Sequence, residues 1–213
     1  MLLHMGTEAN AAYLPKYNTM FILPSALLPN LLFTEGPAAF NYGSMGMIMA
    51  HEMMHGYDVD GSQYDENTKQ RHWFSPESTE HYVNWTLCLR EYHKNVLQRR
   101  QVLNDTVDSE NIADLGGTPM AYSAFTSLPS SKRDTMLPGV AMTADQLFFI
   151  GYCTPWCEKQ TTESPPWLSG RHRYPPRRSR CIVPLMNMPE FSDAFHCKQG
   201  SYMNPPNKCM LWT

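Results

Sequence analysis

Residues 51–55 read His-Glu-Met-Met-His, and this H-E-x-x-H pattern decides how the rest of the chain is interpreted. On a helix, His51 and His55 lie one turn apart on the same face. Two imidazole nitrogens at that spacing can converge on one Zn²⁺ ion, with Glu52 beside it as a general base. The pattern also occurs by chance on ordinary helices. Its surroundings favour a metal site, because residues 45–50 are apolar and a buried His or Glu there needs a polar role.

A pair of carboxylates further along the chain offers a third ligand. Glu110 and Asp114 are four residues apart and share a helix face. Glu110 would complete a set of two His and one Glu, and Asp114 would accept a hydrogen bond from a ligand imidazole. Asp58 is a second carboxylate that could do the same. Alone, Glu110 and Asp114 would be a solvated helix face; beside the H-E-x-x-H pattern they favour one bound Zn²⁺.

Length and charge limit the classes of protein and partner. The chain has 213 residues, enough for one domain with a sizeable core. Its 17 basic and 20 acidic residues give a net charge of −3, so we expect no nucleic-acid partner. Prolines interrupt the longest apolar stretch, residues 21–33, which excludes a membrane-spanning helix there. The first residues lack the charged and apolar regions of a signal peptide, so we expect no export signal.

The spacing of the apolar residues and the positions of glycine and proline predict a mainly α chain with little strand. A strand and turn are expected over residues 10–24. A long loop is expected over residues 160–184, where several prolines and five closely spaced arginines occur and apolar residues show no periodicity. Helices are expected over residues 38–57, 77–101, 108–125 (interrupted or bent at Gly116, Gly117 and Pro119), 143–156 and 189–195.

The cysteines and sequons indicate an oxidising compartment. The six cysteines include no C-x-x-C pair, which argues against a structural zinc site made of thiolates. Two N-x-S/T sequons, at Asn84 and Asn104, accompany them. Together these features favour an extracellular or cell-surface location, in conflict with the missing export signal.

Five blocks of sequence are more specific than the motif alone. They are residues 10–13 (NAAY), 51–58 (HEMMHGYD), 110–117 (ENIADLGG), 146–157 (QLFFIGYCTPWC) and 190–212 (EFSDAFHCKQGSYMNPPNKCMLW). In these blocks, and in their order, the chain resembles the neprilysin and endothelin-converting-enzyme family of zinc endopeptidases. The resemblance implies a thermolysin-like zincin fold, mainly α with a small edge-strand region, and hydrolysis of short peptides.

The resemblance also implies roles for the residues of the metal site. It assigns zinc ligation to His51, His55 and Glu110. It assigns the role of general base to Glu52, which would take a proton from the attacking water and deliver it to the leaving amine. Asp114 would be the carboxylate that holds a ligand imidazole.

On the substrate side, the resemblance assigns Asn10 and Ala11 to an edge segment that binds the peptide backbone in strand fashion. Arg180 falls on an arginine that contacts substrate. Three further residues either wall a pocket for a large apolar side chain after the scissile bond or pack in the core. These are Met47, Ile48 and Trp156.

One position departs from the family's pattern. The family has a His-x-Pro loop before its Arg, and that His stabilises the oxyanion. Counting back without gaps from Asn187 puts Arg180 on the family Arg. Tyr174 then falls on the family His, with Pro176 on the Pro, while His172 lies two residues earlier. Either His172 or Tyr174 is therefore the predicted oxyanion donor, and a neutral phenol would stabilise the anion less than a cationic imidazole.

The extent of the match is a second departure. Full-length relatives have a membrane span and a two-lobed ectodomain around a cavity, and this chain matches only the C-terminal, zinc-bearing part. We therefore expect residues 1–213 to be a single catalytic domain that is the C-terminal fragment of such an ectodomain. A membrane would be reached only through the missing N-terminal segment. By resemblance, the partners of Cys157 and Cys197 lie in the absent part.

The other four cysteines are Cys88, Cys153, Cys181 and Cys209. The resemblance implies a disulfide between Cys88 and Cys209. Cys153 and Cys181 have no family counterpart, so they pair either with each other or with the two cysteines left over.

Three functional hypotheses follow. The first is a zinc metalloendopeptidase acting on short peptides. The second is a weakened pseudo-peptidase that binds zinc and peptide with little turnover, motivated by Tyr174 and the missing lobe. The third is a truncated gene model, motivated by the missing export signal beside extracellular features.

Overall fold

A β-hairpin opens the part of the chain that the computed structural model describes, which is residues 10–97, 105–158 and 174–210. Strand β1 (Ala11–Leu14) pairs antiparallel with β2 (Thr19–Ile22), with Ala11 opposite Ile22. Between them, a 3-10 turn ends at Asn18, whose φ of 44° is a left-handed conformation that asparagine tolerates. The strand and turn predicted for residues 10–24 are thus confirmed.

Helices make up most of the remaining structure, which confirms the mainly α class. A first helical stretch consists of α1 (Ala38–Asn41), a π-helical segment (Tyr42–Gly46) and α2 (Met47–Met54). The helices that follow are α3 (Pro76–Leu97), α4 (Asp105–Thr126), α5 (Ser130–Arg133), α6 (Ala144–Cys153), α7 (Arg177–Asn187) and α8 (Pro189–Ala194). None of the helices in the described ranges combines the length and apolarity needed to cross a membrane.

Helices α2 and α4 pack with their backbones in contact. A Cβ atom on Gly117 would lie 2.7 Å from the backbone nitrogen of His51 and 3.0 Å from the carbonyl carbon of Ala50. Only a residue without a side chain allows this approach. Helix α4 runs through Gly116, Gly117 and Pro119 as one helix, so the interruption considered for this stretch is absent.

Two apolar clusters lie on either side of this helix pair. The first joins α6 to α2 and α4 through buried aromatic residues, including Phe125, Phe148, Phe149 and Tyr152. The second joins α3 and α7 to α4 through Trp85, Leu89, Ile112 and Val183, among others. Between them the clusters fix α2 and α4, the two helices that carry the predicted ligands.

Two disulfides add covalent links. Cys88 of α3 is bonded to Cys209, as the resemblance implied. Cys153 at the end of α6 is bonded to Cys181 of α7, which settles the alternative left open for these two residues. Cys157 and Cys197 are free thiols in the described part of the chain.

The loop predicted over residues 160–184 is wrong at its C-terminal end, because α7 begins at Arg177. Pro184 lies inside this helix and cannot donate the usual hydrogen bond to the carbonyl of Arg180. That carbonyl instead accepts a hydrogen bond of 2.5 Å from the Tyr152 hydroxyl. A partner from another helix therefore makes a proline tolerable at a position where the local sequence argued against a helix.

Candidate metal centre

Helices α2 and α4 bring the three predicted ligands together. Nitrogen and oxygen atoms of His51, His55 and Glu110 all lie within 4.8 Å of one another. His51 Nε2 is 3.4 Å from Glu110 Oε2, and His55 Nε2 is 3.9 Å from Glu110 Oε1. The helical spacing of the two histidines and the close packing of α4 against α2 are enough to produce this convergence.

Each imidazole is oriented by a carboxylate on its far side. His55 Nδ1 hydrogen-bonds to Asp58 Oδ2 at 2.7 Å, and His51 Nδ1 lies 2.9 Å from Asp114 Oδ1. A proton on each Nδ1 leaves the lone pair of Nε2 directed toward Glu110, which is the tautomer that a metal ligand needs. Asp58 is itself fixed, since its Oδ1 accepts hydrogen bonds from the backbone N–H groups of Asp60 and Gly61.

The donor set fits a zinc ion. Two imidazole nitrogens and one carboxylate oxygen are a common catalytic zinc set, with one position left for water or substrate. Glu110 Oε2 is buried and makes no hydrogen bond within the described residues, so a cation would supply the close partner that this oxygen lacks. Burial lowers the pKa of His51, but Asp114 and Glu110 outweigh burial and raise it to about 9. The same negative field favours a divalent cation.

Glu52 follows the first ligand in α2 and is buried, with 6% of its surface exposed. The pKa of its carboxyl is raised above the usual range, chiefly because burial disfavours the charged form. His51 and His55 act in the opposite direction. A carboxyl with a raised pKa, beside a cation site, is suited to accept and return a proton.

Arg180, for which the sequence predicted a substrate contact, lies beside two carboxylates of α4, those of Glu110 and Asp114. Its Nε and Nη2 atoms donate to the two oxygens of Asp114 at 2.7 and 2.8 Å, and Nη2 is 3.3 Å from Glu110 Oε2. Burial alone would raise the pKa of Asp114, but Arg180 and His51 hold it well below the usual range. Asp114 is thus an anion held between a guanidinium and a ligand imidazole.

Two aromatic rings flank the guanidinium of Arg180. Its central carbon is 4.0 Å from the ring centroid of Trp156 and 5.8 Å from that of Tyr174. Tyr174 is 42% exposed, so its ring borders solvent, whereas Arg180 is buried. Its rival as oxyanion donor, His172, lies outside the described residues.

The remaining substrate-side predictions fall in different places. Asn10 and Ala11 lie at the start of β1, which packs against α2. Met47 has no exposed surface and belongs to the first apolar cluster, which favours the core-packing alternative for this residue. Ile48 and Trp156 are half-buried beside the same cluster. The sequence did not reveal the role of Tyr152, whose hydroxyl donates to the carbonyl of Arg180. The one indication was an aromatic residue in an apolar helix.

Comparison with known proteins agrees with this geometry. A family model described as Peptidase family M13 matches residues 10–211. The chain belongs to peptidase family M13. An endothelin-converting enzyme homolog from Locusta migratoria is 34% identical over 206 residues, which are 95% of this chain and 28% of the relative. Neprilysin-1 from Trittame loki is 37% identical over 214 residues, covering 95% of this chain and 29% of the relative.

Solved structures of the M13 fold extend the comparison. The Haemonchus galactose-containing glycoprotein complex superposes with a TM-score of 0.78 at 28% identity, covering 96% of this chain and 35% of that chain. A Mycobacterium tuberculosis zinc metalloprotease, solved with an inhibitor, gives a TM-score of 0.75 at 24% identity, covering 96% and 32%. This M13 chain therefore has the zincin fold of its relatives, and it spans about a third or less of their length.

Proposed function

We propose that the chain is the catalytic part of a zinc metalloendopeptidase that hydrolyses short peptides. The observation that carries the proposal is the convergence of His51, His55 and Glu110, with a carboxylate behind each imidazole. Membership of family M13 and the printed names of the relatives support the same reaction class. The chain spans 28–29% of those relatives, and we place the rest of the active-site enclosure in parts of the protein outside these residues.

Zinc held by these three ligands would polarise the scissile carbonyl and make a water molecule more acidic. Glu52 accepts the proton of the attacking water and passes it to the leaving amine. Asp114 and Asp58 keep the two imidazoles in the ligating tautomer. Arg180 balances the charge of Asp114, so that the buried carboxylate remains ionised.

On the substrate side, Tyr174 donates a hydrogen bond from its hydroxyl to the developing oxyanion. Its ring is 42% exposed and its centroid lies 5.8 Å from the central carbon of Arg180, which supports this assignment. Asn10 and Ala11 bind the peptide backbone along the edge of β1 that β2 leaves unpaired. Arg180 contacts the substrate through the part of its guanidinium not engaged by Asp114.

The decisive assay is cleavage of a fluorescence-quenched apolar peptide by the full chain, with and without a chelator. Glu52→Gln should lower kcat by about 10²–10⁴-fold while zinc still binds. Glu52→Gln keeps the size and burial of the side chain, so it separates chemistry from folding. Cleavage that persists in Glu52→Gln, or that survives complete removal of zinc, would refute the mechanism.

The role of Tyr174 is tested by Tyr174→Phe, which keeps the ring and removes the donor. Loss of an oxyanion donor typically costs about 10²–10³ in rate, so kcat should fall and KM should change little. An unchanged kcat in Tyr174→Phe, with a loss in His172→Ala, would assign the donor to His172. Slow turnover that rises strongly in Tyr174→His would favour the weakened pseudo-peptidase.

We also propose an extracellular or cell-surface location for the whole protein. The two disulfides and the exposed sequon residue Asn84 support it. The location predicts that the four bonded cysteines are resistant to alkylation when the protein is isolated from tissue without reductant. Free thiols at those positions would contradict it.

A further inference from the structure

The Cys153–Cys181 disulfide closes a loop of the chain that contains three residues of the candidate site. Cys153 is the last residue of α6 and Cys181 lies in the first turns of α7, with their Cα atoms 5.1 Å apart. Trp156, Tyr174 and Arg180 all belong to the segment between them. The three zinc ligands lie outside it, so the disulfide divides the site into two parts along the chain.

Two consecutive residues of α6 hold two consecutive residues of α7. Cys153 is bonded to Cys181, and the Tyr152 hydroxyl donates to the carbonyl of Arg180. Pro184 removes the helix's own hydrogen bond to that carbonyl. The start of α7 therefore depends on attachment to α6 more than an uninterrupted helix would.

The position of Arg180 is sensitive to this attachment. Its side chain reaches Asp114 with two hydrogen bonds of 2.7 and 2.8 Å, and stacks 4.0 Å from the ring centroid of Trp156. Hydrogen bonds of this kind weaken beyond about 3.2 Å, so a shift of well under 1 Å in the backbone of α7 would disturb both contacts. Trp156 follows Cys153 by three residues and is held from the same point.

We propose that the Cys153–Cys181 disulfide is a positioning element that holds Arg180 and Trp156 beside the metal centre. It thereby fixes the indole and guanidinium surface that a substrate side chain next to the scissile bond would meet. This proposal rests on the peptidase function proposed above. The disulfide touches no substrate itself; it acts through the indole and guanidinium groups that it holds in place.

The test compares the full wild-type chain with the double variant Cys153→Ser/Cys181→Ser. Two peptides that differ only in Phe or Ala after the scissile bond measure selectivity, and hydrogen exchange measures the protection of residues 177–187. Cys157→Ser is the matched control, because Cys157 is an exposed free thiol four residues from Cys153. If the double serine variant does not fold, Cys153→Ala/Cys181→Val supplies apolar replacements for the same measurements.

We expect the ratio of kcat/KM for the Phe peptide to that for the Ala peptide to fall by about tenfold, the lower range of discrimination by an apolar pocket. At saturating zinc most of the change should appear in KM, and amide exchange in residues 177–187 should accelerate. Zinc affinity should also fall, because Asp114 beside His51 loses hydrogen bonds from Arg180. A parallel loss on both peptides, or unchanged protection of residues 177–187, would overturn the proposal. If the wild type shows no chelator-sensitive cleavage, the peptidase function fails, and the exchange measurement still decides the positioning role.

Discussion

Replacing Gly117 by alanine should damage the metal site without touching any ligand. The new Cβ would lie 2.7 Å from the backbone nitrogen of His51, which is 0.7 Å short of the 3.4 Å where ordinary contact begins. The Cβ position is fixed by the backbone of α4, and the nitrogen belongs to the backbone of α2. Neither atom can rotate away, so α4 must move away from α2. That movement separates Glu110 from the two imidazoles, whose bonds to zinc tolerate deviations of only about 0.2 Å.

The expected size follows from two opposing contributions. Alanine in a helix interior gains about 1 kcal/mol over glycine, whereas overpacking a tight contact costs about 1–3 kcal/mol. We expect Gly117→Ala to lower the free energy of unfolding of the metal-free chain by up to about 2 kcal/mol. Zinc affinity should fall by about 10–100-fold, as it does when groups that orient metal ligands are lost.

Gly116→Ala is the matched control. It has the same gain in helix propensity, but its Cβ would meet the flexible Met54 side chain, which can move, and not helix backbone. Urea unfolding in chelator and zinc titration against a competing chelator measure the two quantities separately. If Gly117→Ala binds zinc as tightly as Gly116→Ala, the backbone contact between α2 and α4 does not set the ligand geometry.

Three further predictions concern different parts of the molecule. Burial lowers the pKa of His93 to about 4, so the unfolded chain binds an extra proton below about pH 6.5. Stability should therefore fall as the pH drops, by about 2 kcal/mol between pH 7 and pH 5. Urea midpoints at the two pH values should converge in His93→Gln, and an equal pH dependence in variant and wild type would contradict the assignment. Asp58→Ala should weaken zinc binding by about 10–100-fold because the imidazole of His55 loses its anchor; unchanged affinity would show that the hydrogen bond is incidental. Replacing both Cys88 and Cys209 by alanine opens a link across 121 residues and should cost up to about 5 kcal/mol of unfolding free energy, so an unchanged urea midpoint would rule out a stabilising role.

The zinc ligands could be predicted from the sequence because their geometry is mostly local. His51 and His55 need only one turn of helix to share a face, and Glu110 and Asp114 likewise. What the sequence could not supply was the distance between the two helices, which depends on the packing of Gly117. The convergence of the three ligands therefore depends on the tertiary packing of α4 against α2, which the local pattern alone does not determine.

Helix α7 was not predicted because the residues that stabilise it lie far away in the sequence. Arg180 lies in a stretch for which a long loop was predicted, but its charge is matched by Asp114, 66 residues earlier. Pro184 argued against a helix until Tyr152 supplied a donor for the carbonyl of Arg180. The pairing of Cys153 with Cys181 was open for the same reason, since cysteine spacing alone does not determine which thiols meet.

The two carboxylates behind the imidazoles differ in how far along the chain they lie, and this has a consequence for the order of assembly. Asp58 follows His55 by three residues, so that half of the centre can form as soon as α2 and its following turn have left the ribosome. Glu110 and Asp114 are synthesised more than fifty residues later. During that interval the nascent chain presents a pair of histidines without their carboxylate ligand. Tight binding of the metal ion therefore requires that α4 has packed against α2. The ion binds tightly only when this part of the fold is complete.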